Sequence, residues 1–481
     1  MKRYLHFVLL ILIISLMCGC APLPSESGEN TFSPVDFITA FDTVDHGSIG
    51  LSDNNLIETL RNHFKSIPDN SEIYSVQIGS KNIPSNATEV KFTELDYTAE
   101  ELMAALVVLP KLQNLYLANN PLSKEHMNHI AQFYPDLNIE YTVNIMGSEY
   151  DTSATQVNLA GITQDNYQDI TRKLQLLPAL EYVELMDENG QCYLTKTEVK
   201  YMLDALPEIQ IHYSFDFFGT TISTTDESVI LCDVPIGNEG EDEIRQTLDI
   251  LRNCNYFKLD DCGIDSEIMA SIREDYPEIK VVWRIYCGRF SICTDDTMCR
   301  MTNGLNDSNC SELKYCTDVT YLDIGHNETL TDISFTKYMT NLECIIISGS
   351  SVTDVTPLAD HDKLTWVEFV FCGSLSDISC LSTCDNIRFL NVSYTRVSDI
   401  SALENLPLER FNSMMNNVSY ADSLKFVEWH PDCISVFRGV QPYGYGWRYN
   451  DHGYTFFEYY ANMRIVFRYD DTTFHSCVKG R

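Results

Sequence analysis

The triplets Leu322-Asp323-Ile324, Ile345-Ile346-Ile347, Val367-Glu368-Phe369 and Leu390-Asn391-Val392 follow one another at steps of 23, 22 and 23 residues. Behind each comes an acid and a β-branched residue, Asp332-Ile333, Asp354-Val355, Asp377-Ile378 and Asp399-Ile400, spaced 22, 23 and 22 apart. A fixed period of this length marks a tandem array in which one unit cannot bury its own apolar face and neighbours stack to do so. Apolar residues at alternate positions fit a short strand with one buried side. Eight residues after the first apolar position of each unit stand Asn327, Ser350, Cys372 and Thr395. All four are small and bond backbone groups at a bend, so Cys372 reads as structural rather than reactive.

A longer period precedes this array. Tyr134-Pro135-Asp136-Leu137, Leu206-Pro207-Glu208-Ile209 and Tyr276-Pro277-Glu278-Ile279 lie 72 and 70 residues apart. Upstream of each is the same kind of core, Leu112-x-x-Leu115-x-Leu117, Leu180-x-x-Val183-x-Leu185 and Cys254-x-x-Phe257-x-Leu259. Before each core, Leu102, Leu106 and Leu109, then Ile170, Leu174 and Leu177, then Ile244, Leu248 and Leu251 recur at helical spacing. Each module of about 70 residues is therefore expected to run strand, helix, strand, helix and a short extended segment. Leu51 to Gly79 is expected to hold a degenerate first module, with Leu56, Leu60 and Phe64 at helix-like spacing.

The unit Leu-x-x-Leu-x-Leu followed by an Asp-Ile pair resembles the leucine-rich repeats of internalin-like bacterial surface proteins, over roughly Val319 to Met415. The resemblance implies an α/β fold: a leucine-rich repeat solenoid with parallel strands on the concave face and helices or irregular returns on the convex face. By analogy it also implies ligand recognition.

The N-terminus carries Lys2 and Arg3, an apolar run from Phe7 to Ile14, and Met17-Cys18-Gly19-Cys20. That run is too short to span a bilayer and has the order of an export signal. Gly19 before Cys20 resembles the lipobox of bacterial lipoproteins, with Met17 where Leu is usual. The resemblance implies acylation of Cys20 and anchoring to the outside of a bacterial cell membrane by lipid. The expected organisation is a signal peptide at 1–19, a tether at 20–50 rich in Pro, Ser and Glu, long-repeat modules at 51–300, short repeats at 301–424 and an aromatic-rich C-terminal cap at 425–481.

Composition narrows the partners. With 69 acids against 33 bases the net charge is −36, which disfavours nucleic acid and anionic membrane surfaces, since both demand a basic face. Seventeen cysteines are present, and an extracytoplasmic setting permits disulfides. Zinc is not expected, because the Cys-x-x-Cys and Cys/His spacings of structural sites are missing from the sequence. Neither a cofactor nor a metal is expected.

The position just before the second apolar residue of each repeat strand points to the concave side. That column reads Asn114, Tyr182, Tyr256, Tyr321, Cys344, Trp366, Phe389 and Arg410, and the next one includes Glu184, Lys258, Asp323, Glu368, Asn391 and Asn412. An aromatic row flanked by polar residues has the composition of a protein or carbohydrate contact surface. Tyr182, Tyr256, Tyr321, Trp366, Glu368, Phe389 and Arg410 are the expected ligand contacts, on a solvent-facing surface that binds a protein or a polysaccharide. The same row also suits strands that merely pack along an array.

From about Leu424 the pattern ends and Trp429, Tyr443, Tyr445, Trp447, Tyr449, Tyr454, Phe456, Phe457, Tyr459, Tyr460, Phe467 and Tyr469 crowd the tail. A cap over the exposed end of the array is the first reading of this piece, and a small glycan-binding tip is the second. Two alternatives to recognition stay open: a structural or self-associating envelope lipoprotein, and a Cys-dependent enzyme using Cys433 with His430. The latter has no third group in sequence to orient the base.

Overall fold

The computed structural model describes residues 75–93, 109–120, 122–450 and 455–471, together with 31–32 and isolated positions between 97 and 106. The export signal, Cys20, the tether apart from Thr31 and Phe32, Leu56, Leu60, Phe64 and Cys477 lie outside the described residues; Thr31–Phe32 pairs parallel with Ser75–Val76, a short strand where only tether was expected. Two compact units make up the chain, residues 1–215 with 223–225, and residues 216–222 with 226–481.

In the first unit, strands Glu89–Phe92, Asn114–Leu117 and Asn138–Ile145 are parallel, and Ser148–Asp151 folds back antiparallel on the third. Gln156–Asn158, Tyr182–Glu184 and Gln210–His212 form a second parallel set. Helices fill the returns because the sequence supplies both a cap and an apolar face. Thr195 and Glu198 form a capping box at the start of Lys196–Ala205, satisfying N–H groups that the first turn leaves unpaired. Ile170 and Leu174, four apart, are the buried face of helix Tyr167–Leu174.

The second unit opens with the same plan. Parallel strands Ser228–Cys232, Tyr256–Asp260 and Lys280–Cys287 alternate with helices Glu241–Leu248 and Ser266–Asp275, and Phe290–Cys293 pairs antiparallel at the end. Next comes a ladder of seven parallel strands: β1 Met298–Arg300, β2 Tyr321–Asp323, β3 Cys344–Ile346, β4 Trp366–Glu368, β5 Phe389–Asn391, β6 Arg410–Asn412 and β7 Ile434–Val436. Their register is one to one, so Tyr321, Cys344, Trp366, Phe389, Arg410 and Ile434 stand in one column. The strand period and one-to-one register are those expected of short leucine-rich repeats.

The Asp-Ile pairs explain the turns. Each Asp, at 332, 354, 377 and 399, accepts the N–H two residues on at 2.8–2.9 Å, which opens a short 3-10 return, while the neighbouring Ile or Val is buried. At the bend, Asn327 is fully used. It donates to the carbonyls of Met301 and Ile324 and accepts from the N–H groups of Gly304 and Leu305. Cys372 holds the equivalent bend with one weak thiol donor, to the Ile347 carbonyl at 3.4 Å; Cys380 and Cys384 likewise bond the preceding coil, at the Val355 and Leu358 carbonyls, whereas Cys310 bonds the following one, at the Asp332 carbonyl. Among the fourteen described cysteines, no two are joined by a disulfide.

Residues beyond the short repeats do two different things. Helix α1, Tyr420–Trp429, and strand β7 continue the ladder by one more coil, with buried Phe426 packed on Phe411 at 4.6 Å between rings. Residues 442–450 and 455–469, including helix α2 Glu458–Val466, lie instead along the inner columns of β1 to β6.

Candidate functional site

Strand alternation sends Leu322, Ile345, Val367, Leu390 and Phe411 to one side of the ladder, into its core, and the residues before and after them to the other. The direction expected for the Tyr321 to Arg410 column is what the strands show. Its expected exposure is not. Trp366, Phe389 and Glu368 are 0 % exposed and Arg410 is 5 % exposed, because the aromatic tail of the same chain covers them.

The contact is specific. Trp366 lies 4.3 Å from the Trp447 ring and stacks on Tyr459 at 5.7 Å with planes 3° apart. Phe389 meets Tyr459 and Phe457 at 4.7 and 5.1 Å, and Phe467 meets Tyr321 edge-on at 5.9 Å. Cys344, Ile346, Trp447, Tyr460, Met463 and Phe467 close one buried cluster with Trp366 and Phe389. Gly446 makes the approach of Trp447 possible, since its φ is +84° and a Cβ there would come within 2.7 Å of Val436.

Polar groups are matched across the same face. Glu368 accepts from the Trp447 indole at 2.7 Å, from Arg448 at 3.0 Å and from the Ser348 hydroxyl at 3.1 Å. Asp323 accepts from the Tyr469 hydroxyl at 2.6 Å. Asn391 and Asn412 both donate to the Pro442 carbonyl, at 2.9 and 3.2 Å. Arg410 donates to the carbonyls of Trp447 and Tyr449 and to the Asn450 side chain, and its guanidinium lies 3.8 Å from the centre of the Phe457 ring. Burial pushes the Asp323 carboxyl up, with Glu368 adding to the shift, and pushes the Tyr469 phenol well above its usual range. Burial opposes the charge on Arg448, but Glu368 together with Tyr460, Tyr443 and Tyr469 outweighs it and holds the guanidinium above its ordinary value.

Tyr321, Trp366, Glu368, Phe389 and Arg410 thus belong to one patch. Tyr182 lies in the first unit and Tyr256 on another sheet of the second, and both stay half-exposed. Tyr182 donates to Glu184 at 2.9 Å and Tyr256 to Asp295 at 2.9 Å, and burial, then these acids, push both phenols up to about 12. Beside Tyr256, Lys258 and a two-point Arg284 contact neutralise Asp260.

Around Tyr182 the structure assembles a chain that the column reading missed. Ser214 Oγ lies 3.1 Å from His212 Nε2, and His212 Nδ1 lies 2.7 and 2.8 Å from the Glu184 oxygens. Its signal in sequence is His212-x-Ser214, two residues that alternation places on one side. A hydroxyl, an imidazole and a carboxylate in series are the order of an acyl-transfer triad, but acyl transfer also requires donors aimed at a developing oxyanion. The Ser214 N–H is itself directed at the Met186 sulfur. Cys433 offers no better nucleophile, since burial pushes its thiol up to about 12, and His430 Nε2 is held by the Leu403 carbonyl at 2.8 Å. Among the described residues, no group of three or more His, Cys, Asp and Glu side chains is placed to hold a metal ion, and no helix is long and apolar enough to cross a membrane.

No family model matches the chain, and no curated protein matches it. Among solved structures, an internalin of Listeria monocytogenes aligns at 15% identity over 80% of this chain and 91% of that one, with a TM-score of 0.25. Internalin C2 of the same organism aligns at 19% identity over 56% of this chain and 86% of that one, with a TM-score of 0.19. A leucine-rich-repeat protein of Leptospira interrogans aligns at 12% identity over 73% of this chain and 95% of that one, with a TM-score of 0.24. At these TM-scores the repeat architecture rests on the strand ladder itself.

Proposed function

We propose that this chain is a non-enzymatic recognition protein of the bacterial cell surface, held to the membrane by lipid on Cys20, that binds a protein or polysaccharide through inward-facing side chains of its repeat strands. The observation that carries this reading is the inner face of β1 to β6. It holds a polypeptide segment through stacked rings and matched polar groups, the combination that characterises an interface rather than an inert backing. Tyr182 and Tyr256, half-exposed with their hydroxyls oriented by carboxylates, are the contacts open to a partner without rearrangement. The remaining expected contacts, Tyr321, Trp366, Glu368, Phe389 and Arg410, become available only where the tail is absent from the face.

The test is a panel of surface proteins and glycans titrated with the full chain and with its Tyr182→Ala, Tyr256→Ala double variant. Saturable binding that is lost in a variant with an unchanged melting temperature supports the reading. Binding that is equal in parent and variant removes these tyrosines from the site. The absence of any binding, with the parent folded, favours a structural envelope role.

A further inference from the structure

We infer that residues 442–450 and 455–469 are a built-in pseudo-ligand: they occupy the inner face of the ladder in place of a polypeptide partner bearing aromatic and arginine side chains, and that partner binds by displacing them. This deepens the recognition reading and rests on it.

The ladder does not need the segment for its own architecture. Every strand from β1 to β7 is paired by its neighbours in the ladder, and the bridges the segment makes, Tyr445 with Tyr449 and Tyr449 with Phe456, are internal to it. The core side chains Leu322, Ile345, Val367 and Leu390 lie on the opposite side of the strands. What the segment adds is a second, separate contact made by side chains.

The chemistry of that contact suits a face with two states. A permanently closed core is built most cheaply from apolar groups, since a buried carboxylate costs several kcal/mol of desolvation before its partners repay it. Here the ladder contributes Glu368, Asp323, Asn391, Asn412 and Arg410, groups that water satisfies when the face is open and that the segment contacts when it is closed, although the buried Asn412 Oδ1 then has no hydrogen-bond partner among the described residues. Trp366 and Phe389 at the centre supply the large rings typical of interface hot spots. The segment answers with Trp447, Arg448, Tyr459, Tyr460 and Tyr469. Its own composition therefore defines the partner class the face accepts.

The connection and the outer side of the segment agree with this. Residues 438–441 form an exposed link, with Val440 71 % exposed. A link this short keeps the segment at an effective concentration of about mM over the face, so a free partner competes poorly until the segment is loosened. On the outward side of α2, Ile465 is 74 % exposed and Val466 36 %, apolar surface that the closed arrangement does not use.

A protease site inserted after Val440 of the full chain tests the proposal. After cleavage, a fluorescent peptide covering residues 441–471 is added and its anisotropy followed. The expected result is saturable binding to the cleaved chain, far weaker binding to the uncut chain, and about tenfold or greater weakening by Glu368→Gln, which removes a charge-assisted contact. The circular dichroism of the ladder should persist while fragments exchange. The proposal is overturned if the cleaved fragment leaves only when the ladder unfolds, or if the peptide binds cut and uncut chains alike. Either failure leaves the recognition reading at Tyr182 and Tyr256 untouched, because those residues are read by their own variants.

Discussion

The indole N–H of Trp447 donates to the Glu368 carboxylate across 2.7 Å, although 79 residues separate them. Glu368 is fully buried and also receives Arg448. A buried charge of this kind is stable only while its partners stay in place.

Removing one partner therefore exposes how much the segment depends on the other. Glu368→Ala should destabilise the closed arrangement by about 3 kcal/mol, the scale for breaking a buried pair. Adding Arg448→Met should recover part of that loss, because it removes the stranded cation. Urea unfolding followed by near-ultraviolet circular dichroism measures both, and equal stability of parent and Glu368→Ala would count against the pairing.

Trp366 gives a second comparison. Its side chain is fully buried among rings, yet its indole nitrogen has no hydrogen-bond partner among the described residues. Trp366→Ala should cost about 3–5 kcal/mol as a cavity mutation. Trp366→Phe, which removes an unsatisfied donor while keeping an aromatic ring, should cost less than half as much. If Trp366 faced water, both substitutions would change stability by less than about 0.5 kcal/mol.

Asp323 makes closure sensitive to pH. Burial raises its carboxyl above the ordinary value near 4, and Glu368 adds to the rise, while Tyr469, the Gly325 N–H and Arg300 pull the other way. Cys344 and Tyr469, pushed further up by burial, stay neutral in the same range. A carboxyl raised in the closed state holds its proton more tightly there, so its contribution is fully present below the ordinary carboxylate range. That contribution is lost as pH rises through the raised value. Opening of the segment, measured between pH 4 and 8, should accelerate with rising pH in the parent and less so in Asp323→Asn. Identical profiles in the two proteins would remove Asp323 from the coupling.

The Ser214, His212 and Glu184 chain should be silent as a catalyst. Incubation with a fluorophosphonate, which labels activated serines, should leave Ser214 unmodified. Stoichiometric labelling abolished by His212→Ala would contradict the non-enzymatic reading.

The period of 22 to 23 residues carries most of the ladder in the sequence, because each Asp-Ile pair and each alternating triplet acts locally, within one coil. Strand alternation likewise gives the direction of Tyr321, Trp366, Phe389 and Arg410. Their burial was not legible by the same logic, since the contact between Glu368 and Trp447 follows no period and joins segments far apart in the chain. The available signal was complementarity: an aromatic column with an acid beside it, and a tail with an excess of rings and Arg448 among them. The Ser214 chain was missed because the column was read on the repeat cores alone, whereas His212 ends the following strand.

The most direct test of the central claim is hydrogen exchange of the intact chain, read separately over 455–469 and over the ladder strands. A segment seated on a self-standing face should be protected and yet exchange through a sub-global opening, faster than β3 to β5 and faster again in Glu368→Gln. Exchange of 455–469 only through the same global unfolding that releases β3 to β5 would contradict the account and make the tail part of the core.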